Sequence, residues 1–458
     1  MSSRAERLLT LPPLRAIFAL AVPTTAVMVF GAASGVVNTY FLSRLGADAI
    51  AAVSLVFPVN LIIMTMMGGG VGAGVSAAVA HALGGGRPRD AERVAEHAFV
   101  LTASLSLIFT LLLVGGAPAL FRWMGGAGAV LEGATLFARV LFGGVLVSFA
   151  VSTFDSILRG EGNVRVPSVW AAVSLSLQIL LAPLFMFPLG LGLAGAALAT
   201  VSGQFVGSLA RARFVLGGQG IVRPRLVPRT LGVRPIRDIL RVGVPASLAM
   251  LANYVGLLLL TAIVARYGTR EIAAFGLGTR LDFLILTLAF GVGSAVLTLV
   301  GLAVGARDPC RASAIVWRAS VLVAAMLAFF SVVLVWKPTI WLAIFTREPD
   351  ILAAGEVYLR ILAPSYPFLG ISMACSFTFQ GLGRATFPLV LVTIRTAIVV
   401  TAAASLAASK APAWSIFLLV ATGNVASSAI LSARLRAVLA RETASHRTFA
   451  TPAKAADR

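Results

Sequence analysis

Arg44-Leu45-Gly46-Ala47-Asp48-Ala49-Ile50-Ala51-Ala52 returns 222 residues later as Arg266-Tyr267-Gly268-Thr269-Arg270-Glu271-Ile272-Ala273-Ala274. Pro23 and Pro245 share that offset. After one deletion the offset becomes 221. Gly70-Val71-Gly72 then meets Gly291-Val292-Gly293, Pro88 meets Pro309, and Arg139 meets Arg360. Gly160, Gly162 and Pro167 likewise meet Gly381, Gly383 and Pro388. A register held this far marks an internal duplication.

Each repeat is built of long apolar runs. Hydrophobic residues make up 59% of the 458-residue chain and charged residues 12%. A soluble domain carries roughly 25% charged residues. A bilayer is crossed by about 20 residues of helix, and lipid requires every backbone polar group to be satisfied internally. The runs are too long for barrel strands of about 10 residues. Spans are expected near 16–40, 48–80, 95–116, 134–158, 166–187 and 193–214, then near 240–265, 272–304, 315–336, 354–380, 386–408 and 413–435. The fold class is an all-α polytopic membrane protein with twelve transmembrane helices. An even number of spans per repeat makes the repeats parallel. The expected architecture is two six-helix lobes, 1–215 and 241–438, around a central cleft. A basic cytoplasmic linker, 216–240, joins them, and a cytoplasmic tail, 439–458, follows. The first apolar run mimics a signal peptide, but its counterpart in the second repeat argues for a retained helix.

The net charge of +20 does not indicate nucleic acid, because the basic residues sit in short punctuations between apolar runs. They report topology instead. With a cytoplasmic N-terminus, cytoplasmic segments hold 26 Lys and Arg and external loops hold 9. That asymmetry places both termini in the cytoplasm, and the inner membrane is the expected location. The stretch from Arg211 to Arg241 holds eight arginines and three prolines, the composition of a solvated linker. Cys310 and Cys375 suggest free thiols, and His81, His97 and His446 lack metal-ligand spacing. No cluster of titratable groups of the kind an enzyme needs appears in the sequence.

Several motifs occur in order along nearly the whole chain: Arg44-Leu45-Gly46 with Ile50-Ala51-Ala52-Val53, Leu158-Arg159-Gly160-Glu161-Gly162-Asn163, and Gly192-Leu193-Ala194-Gly195-Ala196-Ala197-Leu198-Ala199-Thr200. Gly243-Val244-Pro245 and Gly381-Leu382-Gly383 repeat the pattern in the second half. Together they resemble the multidrug and toxic compound extrusion family. The resemblance implies a secondary active antiporter that exports cationic or amphipathic compounds by alternating access, in exchange for H⁺ or Na⁺. It also implies a small-molecule substrate, a bilayer environment and a monomer. The alternative is a flippase for a lipid-linked precursor, which an arginine-rich cavity would favour. Only Arg280 and Arg395 lie deep within spans.

Ion coupling needs a group that binds the ion inside the membrane, and an ionisable residue there is a functional candidate by default. The resemblance places acidic residues at positions that hold Asn38, Ala182 (with Gln178 about one turn earlier) and Asn253 in this chain. An amide cannot titrate. Asp155 in span 4 and Asp282 in span 8 are the remaining intramembrane carboxylates. We expect ion coupling at Asp155, with Asn38, Gln178 and Thr200 as neighbouring oxygens. The competing role for Asp155 is an i,i+4 pair with Arg159. We expect substrate contact at Asp282, at its repeat counterpart Asn60, at Asn253, and at Met64, whose thioether offers an adaptable surface; the competing roles are an interhelical bond holding the second lobe together for Asp282 and plain core packing for Met64. Asp282 and Arg280 are two residues apart and need not pair, since such residues do not share a helix face.

Overall fold

The computed structural model describes residues 4–228 and 230–450, with side chains through residue 444. The chain divides into two compact units. Among the described residues, one holds 4–8 and 22–247, and the other holds 9–21 and 248–450.

The helices follow the apolar runs. A short α1 (Arg4–Thr10) precedes α2 (Pro13–Ser43) and α3 (Ala47–Thr65). A π-helical turn, Met66–Val71, leads into α4 (Gly72–Gly84). Then come α5 (Pro88–Trp123), α6 (Gly128–Gly143), α7 (Val145–Gly160), α8 (Arg165–Met186) and α9 (Gly192–Leu216). The second repeat holds α10 (Val233–Val264), α11 (Thr269–Gly305), α12 (Pro309–Trp336) and the single turn α13 (Thr339–Leu342). It ends with α14 (Pro349–Leu362), α15 (Tyr366–Gly381), α16 (Thr386–Ala408) and α17 (Trp414–Ala450). Pro88 and Pro309, matched in the repeat, each open a helix, where a missing backbone N–H costs nothing. Asp308 caps α12 by accepting from the Arg311 amide at 2.8 Å.

Eleven helical stretches among the described residues are long and apolar enough to cross a membrane. The pair α6 and α7, bent by 46°, makes a twelfth when taken as one broken span. The chain is an all-helical membrane protein, and the expected span 134–158 is this broken one. The expected tail from 439 begins inside α17, and residues 451–458 lie outside the described residues.

The first unit has an apolar core from α3, α5, α6, α7, α8 and α9, centred on Val56, Phe121, Phe142 and Phe149. A second apolar cluster joins Val75, Val79, Ala91, Ile157 and Leu158 to Val222 and Ile239. Val222 belongs to the arginine-rich stretch expected to be solvated, yet it is fully buried. Three side chains strap that stretch down. Glu161 accepts from the amides of Ile221 at 3.2 Å and Val222 at 2.8 Å. Glu96 accepts from the Arg225 amide at 3.3 Å. His97 Nε2 accepts from the Gly232 amide at 2.9 Å, while its Nδ1 lies 2.7 Å from the Arg93 carbonyl oxygen. Residue composition predicted a tether here; the alternation of one apolar residue with donated backbone amides makes a strap.

The glycines of span 2 serve contact as well as bending. Ser247 Oγ donates to the Met66 carbonyl oxygen at 3.0 Å, at the π turn. One turn further on, a Cβ at Gly74 would collide with the Ile239 carbonyl oxygen and lie 3.0 Å from the Gly243 nitrogen. Backbone cannot swing aside as a side chain can. Gly74→Ala should therefore destabilise the first unit by about 1–3 kcal/mol, read as a lower melting temperature of the purified protein in detergent.

Glu161 lies just beyond the end of α7. Burial raises its carboxyl to about 7, against the pull of the Val222 and Ile221 amides and the Arg4 charge. A carboxyl raised on docking favours the docked strap below its free value of 4.5, and this advantage is lost as pH rises through about 7. Protection of the Ile221 and Val222 amides from hydrogen exchange, corrected for intrinsic rates, should fall between about pH 5 and about pH 8. Glu161→Gln should remove that change.

Candidate functional site

In the second unit, the ring of Tyr358 on α14 lies directly against Gly278 of α11, so closely that a Cβ at Gly278 would occupy the ring's place. Asp282 is one turn further along α11, and this approach brings the Tyr358 hydroxyl to it. Tyr358 donates to Asp282 Oδ2 at 2.7 Å, and Tyr366 donates to Oδ1 at 2.6 Å. Both tyrosines are buried. Phe275 and Phe417 meet the Tyr358 ring edge-on, with centroids 5.8 and 4.9 Å away. Among the described residues no cation lies within ion-pair distance of Asp282. Arg280 stacks instead over Phe345, 5.5 Å from the ring centroid. Asp282 is thus a carboxylate whose two oxygens are held by neutral donors.

The two tyrosines flank a 3₁₀ turn, Ala363–Ser365, that separates α14 from α15. Ser365 carries a second polar chain. Asn424 Nδ2 donates to Ser365 Oγ at 3.1 Å, and Asn424 Oδ1 accepts from Arg395 Nη1 at 3.1 Å. Arg395 Nη2 reaches Asn253 Oδ1 at 3.4 Å, and Asn253 Nδ2 bonds the Ala249 carbonyl oxygen of its own helix. Three helices, α10, α16 and α17, and one turn contribute to this second chain, and both groupings belong to the second unit.

The first unit's polar residues are arranged differently. Asp155 on α7 accepts from Arg211 Nε at 2.5 Å. Arg211 is 1% exposed and also donates to the Pro167 carbonyl oxygen at 3.0 Å. Arg159 donates to Ser156 Oγ at 3.2 Å. The ion pair is therefore Asp155–Arg211, across α7 and α9. Thr200 bonds the Ala196 carbonyl oxygen of its own helix, and Gln178 lies against Gly203. Asn38 Oδ1 is buried with no hydrogen-bond partner among the described residues. No hydrogen bond joins Asn38, Gln178, Thr200 and Asp155 to one another in this structure. Asn60 is partly buried on α3, and Met64 packs against the apolar core of this unit.

The MatE family model matches residues 23–184 and 245–405. The chain belongs to the MatE family. The matched segments fall one in each repeat, as the duplication requires. The chain is 28% identical over 256 residues to the probable multidrug resistance protein YpnP of Bacillus subtilis, spanning 55% of each protein's length. It is 27% identical over 357 residues to an FAD transporter of Shewanella oneidensis, covering 73% of this chain and 75% of that one. Among solved structures it resembles a MOP superfamily transporter from Pyrococcus furiosus, described as having a binding pocket of reverse polarity. The TM-score is 0.91 at 25% identity, over 97% of this chain and 99% of that one.

In this MatE transporter, the positions expected to carry family carboxylates hold Asn38, whose buried Oδ1 has no hydrogen-bond partner among the described residues, a buried alanine at Ala182 and an amide bonded to arginine at Asn253. Sequence reading flagged Asp282 and missed its tyrosines, because an aromatic hydroxyl in an apolar run gives no signal until its partner is known. Arg211 opens the arginine-rich stretch whose composition reads as solvated; it is a buried residue of α9. The Asp155–Arg211 pair makes a direct prediction. Asp155→Asn strands a buried guanidinium, which should cost about 3–5 kcal/mol. The measured melting temperature should fall, and the double variant Asp155→Asn with Arg211→Met should recover most of the loss.

Proposed function

We propose that this MatE transporter is a secondary active antiporter. It exports amphipathic small molecules while protons enter, and Asp282 is the group that takes the proton. The observation that carries this reading is a membrane-embedded carboxylate held by two tyrosine hydroxyls and, among the described residues, by no cation. Asp155 was the expected coupling residue. Its fixed Arg211 partner supports a structural role instead, since the pair already satisfies its charge.

Hydroxyls that donate to both carboxylate oxygens present hydrogens to the site. A sodium ion needs several oxygen lone pairs turned toward it, whereas a proton needs one carboxylate oxygen. This favours H⁺ over Na⁺. When Asp282 gains a proton, that oxygen becomes a donor, and one tyrosine must turn to accept or withdraw. Tyr366 begins α15 directly after the 3₁₀ turn. Its movement therefore acts on the joint between α14 and α15, a break of the kind that marks a functional hinge. The 26-to-9 asymmetry of Lys and Arg supports cytoplasmic termini in the inner membrane. The relatives' names, a probable multidrug resistance protein and an FAD transporter, support an organic cargo.

The test is gradient-driven movement of fluorescent amphipathic dyes in proteoliposomes, with proton and sodium gradients imposed separately. Wild type should respond to the proton gradient. Asp282→Asn should lose that response, and Tyr366→Phe should slow it by roughly tenfold, the effect of removing one hydrogen bond to a charged group. Unchanged proton dependence in Asp282→Asn would overturn the assignment of Asp282. A response to sodium alone would overturn the choice of ion. Movement of a labelled lipid but of no dye would return the lipid-linked precursor flippase.

A further inference from the structure

Arg395 stands near the middle of α16, ten residues into a 23-residue span. Its side chain is only partly buried. A guanidinium at mid-membrane depth is costly unless it faces a cavity or a counter-charge. The other deep basic residue, Arg280, rests on the Phe345 ring. Among the described residues Arg395 has no carboxylate partner. It is braced by two amide oxygens, Asn424 Oδ1 at 3.1 Å and Asn253 Oδ1 at 3.4 Å. These come from α17 and α10, so three helices fix the guanidinium. The amides orient it without cancelling its charge. Arginine has five N–H donors, and the two bonds use two of them. Asn424 is buried, while Asn253 is exposed, so the brace has a closed side and an open one.

We propose that Arg395, held by Asn253 and Asn424, is an oxyanion-binding site, and that the molecule exported by this chain carries a carboxylate or phosphate group. The planar fork of the guanidinium matches such groups with two parallel hydrogen bonds. An oxyanion there supplies the counter-charge that the chain withholds. This departs from the cationic cargo that the family resemblance implied. The positive potential at Arg395 repels a cation, and Asp282, the intramembrane carboxylate of the same unit, is occupied by tyrosine hydroxyls. The cargo half of the proposal rests on the export reading above; the binding half does not.

Binding is measured first, by fluorescence polarisation with the full chain in detergent. Carboxyfluorescein serves as the free anionic probe. NBD-labelled phosphatidylglycerol, a headgroup-bearing anion, is presented in mixed micelles. Rhodamine 6G is the cationic probe. Wild type is expected to bind an anionic probe at least about tenfold more tightly than Arg395→Gln, the loss typical of removing a charged hydrogen-bonding partner. Arg395→Lys keeps the charge without the fork and is expected to fall between them. Loss of anion binding counts only if the Gln variant remains monodisperse and binds rhodamine 6G no more weakly than wild type. Selective binding of carboxyfluorescein assigns the oxyanion to a soluble cargo, and selective binding of the lipid assigns it to a headgroup. Equal affinity of wild type and Arg395→Gln for both anionic probes would overturn the proposal. Proteoliposome transport then separates the two readings. Arg395-dependent binding with no gradient-driven transport of any probe leaves the site standing and removes the export reading. Gradient-driven export of rhodamine 6G, with no Arg395-dependent anion binding, leaves export standing and removes the site.

Discussion

A charged or polar group inside hydrocarbon must find its partners within the chain, because no water stands ready to supply them. This protein answers that constraint in three ways. Asp155 is matched by an opposite charge, Arg211. Asp282 is matched by neutral donors, Tyr358 and Tyr366. Arg395 is matched by neutral acceptors, Asn253 and Asn424. An ion pair is complete in itself, and breaking it strands a charge. A lone charge held by neutral groups keeps its field, and so keeps the capacity to respond to an arriving proton or ligand.

The backbone around these groups retains the memory of duplication while the chemistry has diverged. The broken span of the first repeat turns at Gly144, and the corresponding position of the second is Ser365, at the end of the 3₁₀ turn. The turns before α3 and α11 both pivot on a glycine of positive φ, 106° at Gly46 and 112° at Gly268. Elsewhere the halves part. The first has a π turn at Met66–Val71, where α11 continues unbroken. The break in the second half is flanked by tyrosines that reach a carboxylate; the first half packs Phe142 and Phe149 around its break. A shared scaffold thus carries an apolar core on one side of the duplication and a titratable site on the other.

The arginine-rich stretch shows the limits of reading charge as exposure. Arg223, Arg225, Arg234, Arg237 and Arg241 are exposed, while the Ile221, Val222 and Arg225 amides are bonded to Glu161 and Glu96 and Val222 joins the apolar cluster. Arg211 goes further and is wholly enclosed. Long side chains carry their charge some distance from the backbone, so a basic segment can be solvated at its tips and packed at its base.

The sequence by itself determined what depends on neighbours along the chain. Apolar runs long enough to cross a bilayer defined the spans, and the held offset exposed the repeat. The intramembrane ionisable residues Asp155, Asp282 and Arg395 were legible because polarity in an apolar run is a local anomaly. Only the tertiary structure decided which of them carry a free charge. Arg211 lies 56 residues from Asp155, and Tyr358 and Tyr366 lie 76 and 84 residues from Asp282. At those separations no periodicity or spacing links the partners. Helix packing brings them together, and whether a buried carboxylate meets a guanidinium or two hydroxyls decides whether it is a structural pin or a site that can work.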